Sequence, residues 1–271
     1  MQTSAYFISD STAITVETLG NSLVAQFPDV EFEKTVTPYI DTEAKAQRVV
    51  EQINYQHAND TQKPIIIVSV IKQHIREILF QCDGLILDMF SNFLNPMQDF
   101  LGTQAQVAVG KGHSTSTNSD YQKRIKAVHY ALDNDDGEHF KEYEDADVIL
   151  IGVSRSGKTP ACLYLGLHFG VYAANYPLTP EDLEDGTIPK ALKPYRHKLF
   201  GLTIDPERLA DIREQRKANS RYASLTQCED EIRMAEQVMR RAQLTILNTT
   251  SISVEEISTR IIAEMGLQRA V

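Results

Sequence analysis

Asp147-Val148-Ile149-Leu150-Ile151-Gly152-Val153-Ser154-Arg155-Ser156-Gly157-Lys158-Thr159-Pro160 decides the fold of this chain. Its first five residues are an apolar, β-branched run that reads as a buried strand. Gly152, Gly157, Lys158 and Thr159 then fill G-x-x-x-x-G-K-[ST] without a gap. Cys162 to Leu167 reads as a helix that leaves the loop. Strand, glycine turn and helix start together present backbone N–H groups and a positive dipole end to a polyphosphate. Gly152, Val153, Ser154, Arg155, Ser156, Gly157, Lys158 and Thr159 are therefore expected to cradle phosphates. Lys158 would reach the terminal phosphates, and the Thr159 hydroxyl would hold Mg²⁺.

The same βα alternation spreads outward from this segment. Upstream, strands are expected at Ala5 to Ile8, Glu31 to Val36, Pro64 to Val70 and Gly84 to Asp88, and downstream at Gly170 to Asn175, Lys198 to Ile204 and Leu244 to Asn248. Helices are expected after Asp10-Ser11-Thr12 as cap, from about Thr42 to Gln56, from Tyr121 to Leu132, from Pro206 to about Arg216 and from Ala223 to Arg241. Ser253 with Glu256 reads as a capping box. Strands separated by helices give an α/β fold: a largely parallel sheet with helices on both faces, with a P-loop kinase-like C-terminal half. The pattern breaks between Asn95 and Asp120, where Gly102, Gly110, Gly112 and a Ser/Thr run indicate a long loop. The chain is thereby expected to divide in three: residues 1–105 as an N-terminal α/β lobe, 106–145 as loop and connecting helix, and 146–271 as the phosphate-loop lobe.

Bulk properties remove several classes of function. A formal net charge of −10 argues against a nonspecific nucleic-acid binder. No apolar run approaches the length of about 18 residues needed to span a bilayer, and the start of the chain lacks a secretion-signal pattern. Cys82, Cys162 and Cys228 are far apart, which fits a reducing cytoplasm better than a disulfide framework or a metal cluster. A cytoplasmic protein is expected. Whether it forms a homo-oligomer is left open.

Phosphoryl transfer needs a metal-orienting carboxylate and cations as well as a loop. Two apolar strands end in aspartate, at Asp88 and Asp205. Asp205 is the better candidate because its strand lies in the same half as the loop, although Asp205-Pro206-Glu207 also reads as an N-cap with proline at the first helical position. Arg155, inside the loop, is positioned to contact a phosphate or to stand as a solvated charge. Of the basic residues Arg208, Arg213, Arg216, Lys217 and Arg221, most read as a solvated helix face, with Arg221 and Tyr222 closer to the site. Among seven histidines only His113, in the glycine-rich loop, has a context that suggests chemistry. Asp135 and Asp136 are candidates for base or metal ligand, or for a plain acidic turn.

With these residues in view, the chain resembles the bacterial pyruvate, phosphate dikinase regulatory proteins, and within them the phosphoenolpyruvate synthetase regulatory branch. The resemblance runs along nearly the whole sequence. It rests on Phe7 to Thr15, Asp135-Asp136-Gly137, Gly152 to Pro160, Ala173 to Pro177, Lys198 to Arg208 and Asn219 to Ser224. Gly157 points to the synthetase branch, since dikinase regulators often carry serine there. Ser11 stands where the family usually has glycine and Asn134 where it often has histidine, which counts against catalytic roles for both.

The resemblance implies a bifunctional regulator. Such proteins transfer a phosphoryl group from ADP to a threonine beside the catalytic histidine of phosphoenolpyruvate synthetase, inactivating it. They reverse the step with inorganic phosphate, releasing pyrophosphate. The implied site places ADP on Gly152 to Thr159, with Mg²⁺ on Thr159 and Asp205. Catalytic roles are expected among Lys158, Arg155, Asp205, Asp136 and His113. A P-loop small-molecule kinase or nucleotide hydrolase, and a noncatalytic nucleotide-sensing inhibitor, are the two other readings.

Overall fold

In the computed structural model, which describes residues 2–105, 118–137 and 140–268, the chain divides into two units between Thr115 and Ser116. In the first unit, β1 (Gln2–Ser9) lies between β2 (Glu31–Thr37) and β3 (Ile65–Ser69), and β4 (Leu85–Asp88) lies beyond β3, all parallel. Alternation along a strand sends successive side chains to opposite faces. Ala5 and Phe7 accordingly pack with Val16 and Val24 of α1 (Ile14–Val24). Tyr6 and Ile8 pack with Ala46, Val50 and Ile53 of α2 (Glu43–Gln56) and with Ile75 and Leu79 of α3 (Gln73–Leu79). Both faces are thus covered, which is why Ala5 to Ile8 of β1 and Ile65 to Val68 of β3 read as unbroken apolar runs.

The second unit repeats the plan. Here β5 (Val148–Gly152) lies between β6 (Ala173–Pro177) and β7 (Leu199–Thr203), with β8 (Ile246–Asn248) beyond β7, again all parallel. After α5 (Asn118–Asp133) and β5 come α6 (Lys158–Tyr164), α7 (Pro180–Asp185), α8 (Pro206–Arg216), α9 (Leu225–Arg241) and α10 (Val254–Met265). Val148 and Leu150 face Ala161 and Cys162 of α6 and Ile257, Ile261 and Ile262 of α10. Ile149 and Ile151 face Leu209 of α8 and Ile232, Val238 and Met239 of α9. A large-to-small change at Ile149 should cost about 2–5 kcal/mol.

The parallel α/β arrangement stands, with the strands in two four-stranded sheets, one in each unit; it is at finer points that the structure departs from expectation. Asp10, Ser11 and Thr12 do not cap α1: Ala13 does so in a left-handed conformation (φ 66°), without a side-chain bond. Asp10 instead accepts the Ile71 N–H at 2.7 Å, tying the exit of β1 to that of β3. The break expected from Asn95 begins later, because α4 (Met89–Leu101) runs on through Pro96 and ends at Gly102. Asp88 caps α4 by accepting the Phe90 N–H and the Ser91 hydroxyl, and it pairs with Arg76 at 3.6 Å. It is a structural carboxylate. Ser253 accepts the Glu256 N–H at 3.3 Å, one half of the expected box, while Thr179 and Asp182 form a full box at α7.

Candidate functional site

Gly152 ends β5 and must be glycine for two reasons. Its φ is 155°, and a Cβ there would lie 2.2 Å from the Leu202 carbonyl oxygen of β7. Gly157 precedes α6 at φ 91°, with nothing nearer than Ile257 Cδ1 at 3.8 Å from an added Cβ. Torsion rather than space requires glycine there. Between them Arg155 holds φ 76°, a conformation that costs a non-glycine residue energy. The loop's inner carbonyl, Val153 O, accepts the Ser156 hydroxyl at 3.0 Å and Lys158 Nζ at 2.8 Å. Thr249 donates its hydroxyl to Ser156 O at 3.0 Å and so fastens the loop to the end of β8.

Lys158 is the first residue of α6, and only 4% of it is exposed. Burial pushes its ammonium down to about 8, against the pull of the Asp136 and Asp135 carboxylates. Thr159 comes next. Its hydroxyl donates to Asp135 Oδ1 at 3.0 Å and accepts from Asn175 Nδ2 at 3.0 Å, and the same amide reaches Asp135. Three distant segments meet here: the turn after α5, the start of α6 and the middle of β6. Neutral Cys162, buried against the Ala174 carbonyl, has its thiol pushed up by burial and is no nucleophile.

The other expected residues separate. Asp205 lies just past β7, the strand beside the loop's own, and is exposed. It leads into α8 without making a side-chain cap, accepting instead from Asn248 Nδ2 at 2.8 Å, while its N–H donates to Thr250 Oγ1. Asp136 sits beside Asp135 at φ 55°. Arg155 is exposed. His113 lies outside the described residues. Asn134 is buried and structural, donating to Tyr130 O and Glu142. Arg213, grouped by sequence with a solvated helix face, is fully buried, bonds Ser154 O at 3.2 Å and pairs with Glu231 at 2.7 Å. Charged neighbours along its own helix disguise it in the sequence; the Tyr222 carbonyl and ring that receive it lie beyond the end of that helix. Tyr222 itself sits at the loop, its hydroxyl 3.0 Å from Ser154 Oγ, whereas Arg221 is exposed.

A family model described as kinase/pyrophosphorylase matches residues 5–262. The chain belongs to the kinase/pyrophosphorylase family. It is 52% identical over 269 residues to a Pseudomonas aeruginosa protein named "putative phosphoenolpyruvate synthase regulatory protein", covering 99% of this chain and 98% of that one. Proteins of the same name from Stutzerimonas stutzeri and Marinobacter nauticus are 52% and 51% identical over 99% of both chains. Membership supports phosphotransferase-type chemistry, and the second unit brings together a glycine-bearing turn, the buried Lys158 and the neighbouring carboxylates of Asp135 and Asp136. Among the described residues no three His, Cys, Asp or Glu side chains gather as a metal-holding group, and no helix is long and apolar enough to cross a membrane.

Proposed function

We propose that this kinase/pyrophosphorylase regulates phosphoenolpyruvate synthetase in both directions on the loop Gly152–Thr159. In the inactivating direction a threonine Oγ of the synthetase attacks the β-phosphorus of ADP. The bond from that phosphorus to the bridging oxygen breaks, AMP leaves, and the threonine proton passes to a base. In the activating direction an oxygen of inorganic phosphate attacks the phosphothreonine phosphorus. The bond to threonine breaks, its oxygen takes up a proton, and pyrophosphate leaves.

The observation that carries this reading is the convergence at the start of α6. Lys158 is buried under the loop, and the Thr159 hydroxyl is held by Asp135 and Asn175. Positioning and charge neutralisation dominate such transfers. ADP's diphosphate and product pyrophosphate have the same two-phosphate length, so one cradle serves both directions. Lys158 would release Val153 O and turn to the phosphates, with Arg155 at the loop's rim. Asp135 is occupied with Thr159 and Asn175. That leaves Asp136, whose carboxylate acts on Lys158 electrostatically, to exchange the threonine proton. Mg²⁺ prefers a few carboxylate and hydroxyl oxygens together with phosphate, and the Thr159–Asp135 pair fits that donor set. Bound there, Mg²⁺ would neutralise phosphate charge. Asp205 lies at the end of the neighbouring strand as a further oxygen donor.

The test is to incubate the protein and purified phosphoenolpyruvate synthetase with ADP labelled in its β-phosphate, then add inorganic phosphate. Label should appear on a synthetase threonine and leave as pyrophosphate. Label found only in a metabolite would indicate a small-molecule kinase, and inhibition with no added phosphate would indicate a noncatalytic sensor.

A further inference from the structure

We propose that Arg213 is a positioning residue that sets the shape of the phosphate cradle by pinning the Ser154–Arg155 peptide, with the Tyr222 hydroxyl as a second clamp. This deepens the loop reading above and rests on it. Arg213 lies on α8, outside the motif, and is wholly buried. A guanidinium so placed is costly unless its donors are met. Nη2 meets Glu231 Oε2 at 2.7 Å and Ser154 O at 3.2 Å, Nη1 meets Tyr222 O at 3.1 Å, and the group stacks 4.1 Å from the Tyr222 ring centroid, while the buried Nε makes no hydrogen bond. Glu231 and Tyr222 O would suffice to clasp α8 to α9. The bond to Ser154 O goes further, into the loop.

That bond has a directional consequence. In a trans peptide the C=O and N–H point in opposite directions. Holding Ser154 O on Arg213 therefore aims the Arg155 N–H away from Arg213. Arg155 is the loop's non-glycine residue of positive φ, at 76°, a strained state that persists only where the surroundings over-determine it. Successive N–H groups in such a conformation form an anion nest. Lys158 and Ser156 anchor Val153 O, so Arg213 and Tyr222 fix the next peptide along, with the Tyr222 hydroxyl 3.0 Å from Ser154 Oγ. Lysine cannot replace the planar fork, which reaches a carboxylate and two carbonyls at once. The ligand this device suits is a diphosphate.

The experiment titrates pyrophosphate by calorimetry into the full chain and its variants, with thermal melting recorded in parallel. Arg213→Lys should weaken pyrophosphate binding about tenfold and Tyr222→Phe about threefold, at temperatures where both remain folded. A purely structural role would lower the melting temperature and leave the affinity of the folded protein unchanged. If Arg213→Lys fails to fold, Tyr222→Phe decides, since it retains every guanidinium contact. Affinities within twofold of the unmodified chain overturn the inference. Lys158→Ala is the control: loss of pyrophosphate binding there, with Arg213→Lys and Tyr222→Phe unchanged, defeats the inference but keeps the cradle. Pyrophosphate binding retained in Lys158→Ala defeats both.

Discussion

The two units have the same strand order, second-first-third-fourth, and differ in the turn that leaves the first strand. In the first unit β1 ends at Ser9, residues 10–13 turn, and α1 begins at Ile14. In the second β5 ends at Gly152, residues 153–157 turn, and α6 begins at Lys158. Both turns close on a left-handed residue, Ala13 at φ 66° and Gly157 at φ 91°. The first helical side chain, however, is an isoleucine 66% exposed in one unit and a lysine 4% exposed in the other. The first turn directs its carboxylate inward, Asp10 onto the Ile71 N–H. The second turn brings a cation beneath the loop and a hydroxyl to two partners. An open parallel sheet offers a crevice at the carboxyl ends of its strands, and the residues of the turn decide what chemistry the crevice can support.

The sharpest way to break this contrast is Lys158→Ala. Both ADP-dependent labelling and phosphate-dependent release of pyrophosphate should fall on the order of 10³-fold, by analogy with removal of a preorganised charge donor. Phosphorolysis that survived at full rate would mean a second phosphate site, with the first unit the place to look. Asp135→Ala ranks second. It leaves Thr159 with only the Asn175 amide, and turnover should drop on the order of 10²-fold, as for other residues that orient a ligand-holding group. A response of the Mg²⁺ requirement would support the Thr159–Asp135 pairing, and an unchanged Mg²⁺ dependence would count against it.

A pH titration sharpens the contrast further, because Ile14 has no proton to lose and Lys158 does. Burial lowers the folded ammonium to about 8 from its ordinary value of 10.5. Above pH 8 the free protein has lost that charge, so binding a polyphosphate requires proton uptake. Affinity for pyrophosphate should weaken up to about tenfold per pH unit there. Stability moves the other way. Between about 8 and 10.5 the unfolded lysine holds more protons than the folded one, so the burden of the buried ammonium, full below 8, lifts as pH rises. Weaker binding accompanied by loss of fold over that interval would contradict this assignment.

Among the described residues each of the eight strands has a counterpart in the sequence. Inner strands such as β3, β5 and β7, buried on both faces, are contiguous apolar runs whose identity does not depend on their partners. By contrast, β2 is mostly exposed and is marked by Phe32 and Val36 among polar residues. The strands' division into two sheets is not legible in the sequence, since pairing is tertiary. The short helices α3 and α7 offer too few turns for a long apolar period, and α4, whose Phe93, Met97 and Phe100 do keep that period, is interrupted by Pro96 and buries none of its residues. In the site, Gly152 to Thr159 is legible because the motif is local. The contact of Thr159 with Asp135 and Asn175 joins segments far apart in the chain, and Arg213 hides within a helix whose neighbouring charges suggest water. Asp205 draws notice through its strand. Asp135, on a turn, is the carboxylate that touches the loop threonine.

The smallest effect on activity should come from Asp10, the carboxylate of the first turn. Asp10→Asn keeps an oxygen that can accept the Ile71 N–H and removes only the charge that strengthens the bond. The cost should be about 1 kcal/mol of stability, read as a shift of the urea midpoint with an unchanged slope. Labelling of the synthetase by ADP should stay within twofold of the unmodified protein, because nothing that touches Lys158, Thr159 or Val153 has moved. The converse result would be more informative. Full stability with lost labelling would mean that the Asp10 charge takes part in chemistry or docking, and that the two turns differ less in function than in their side chains.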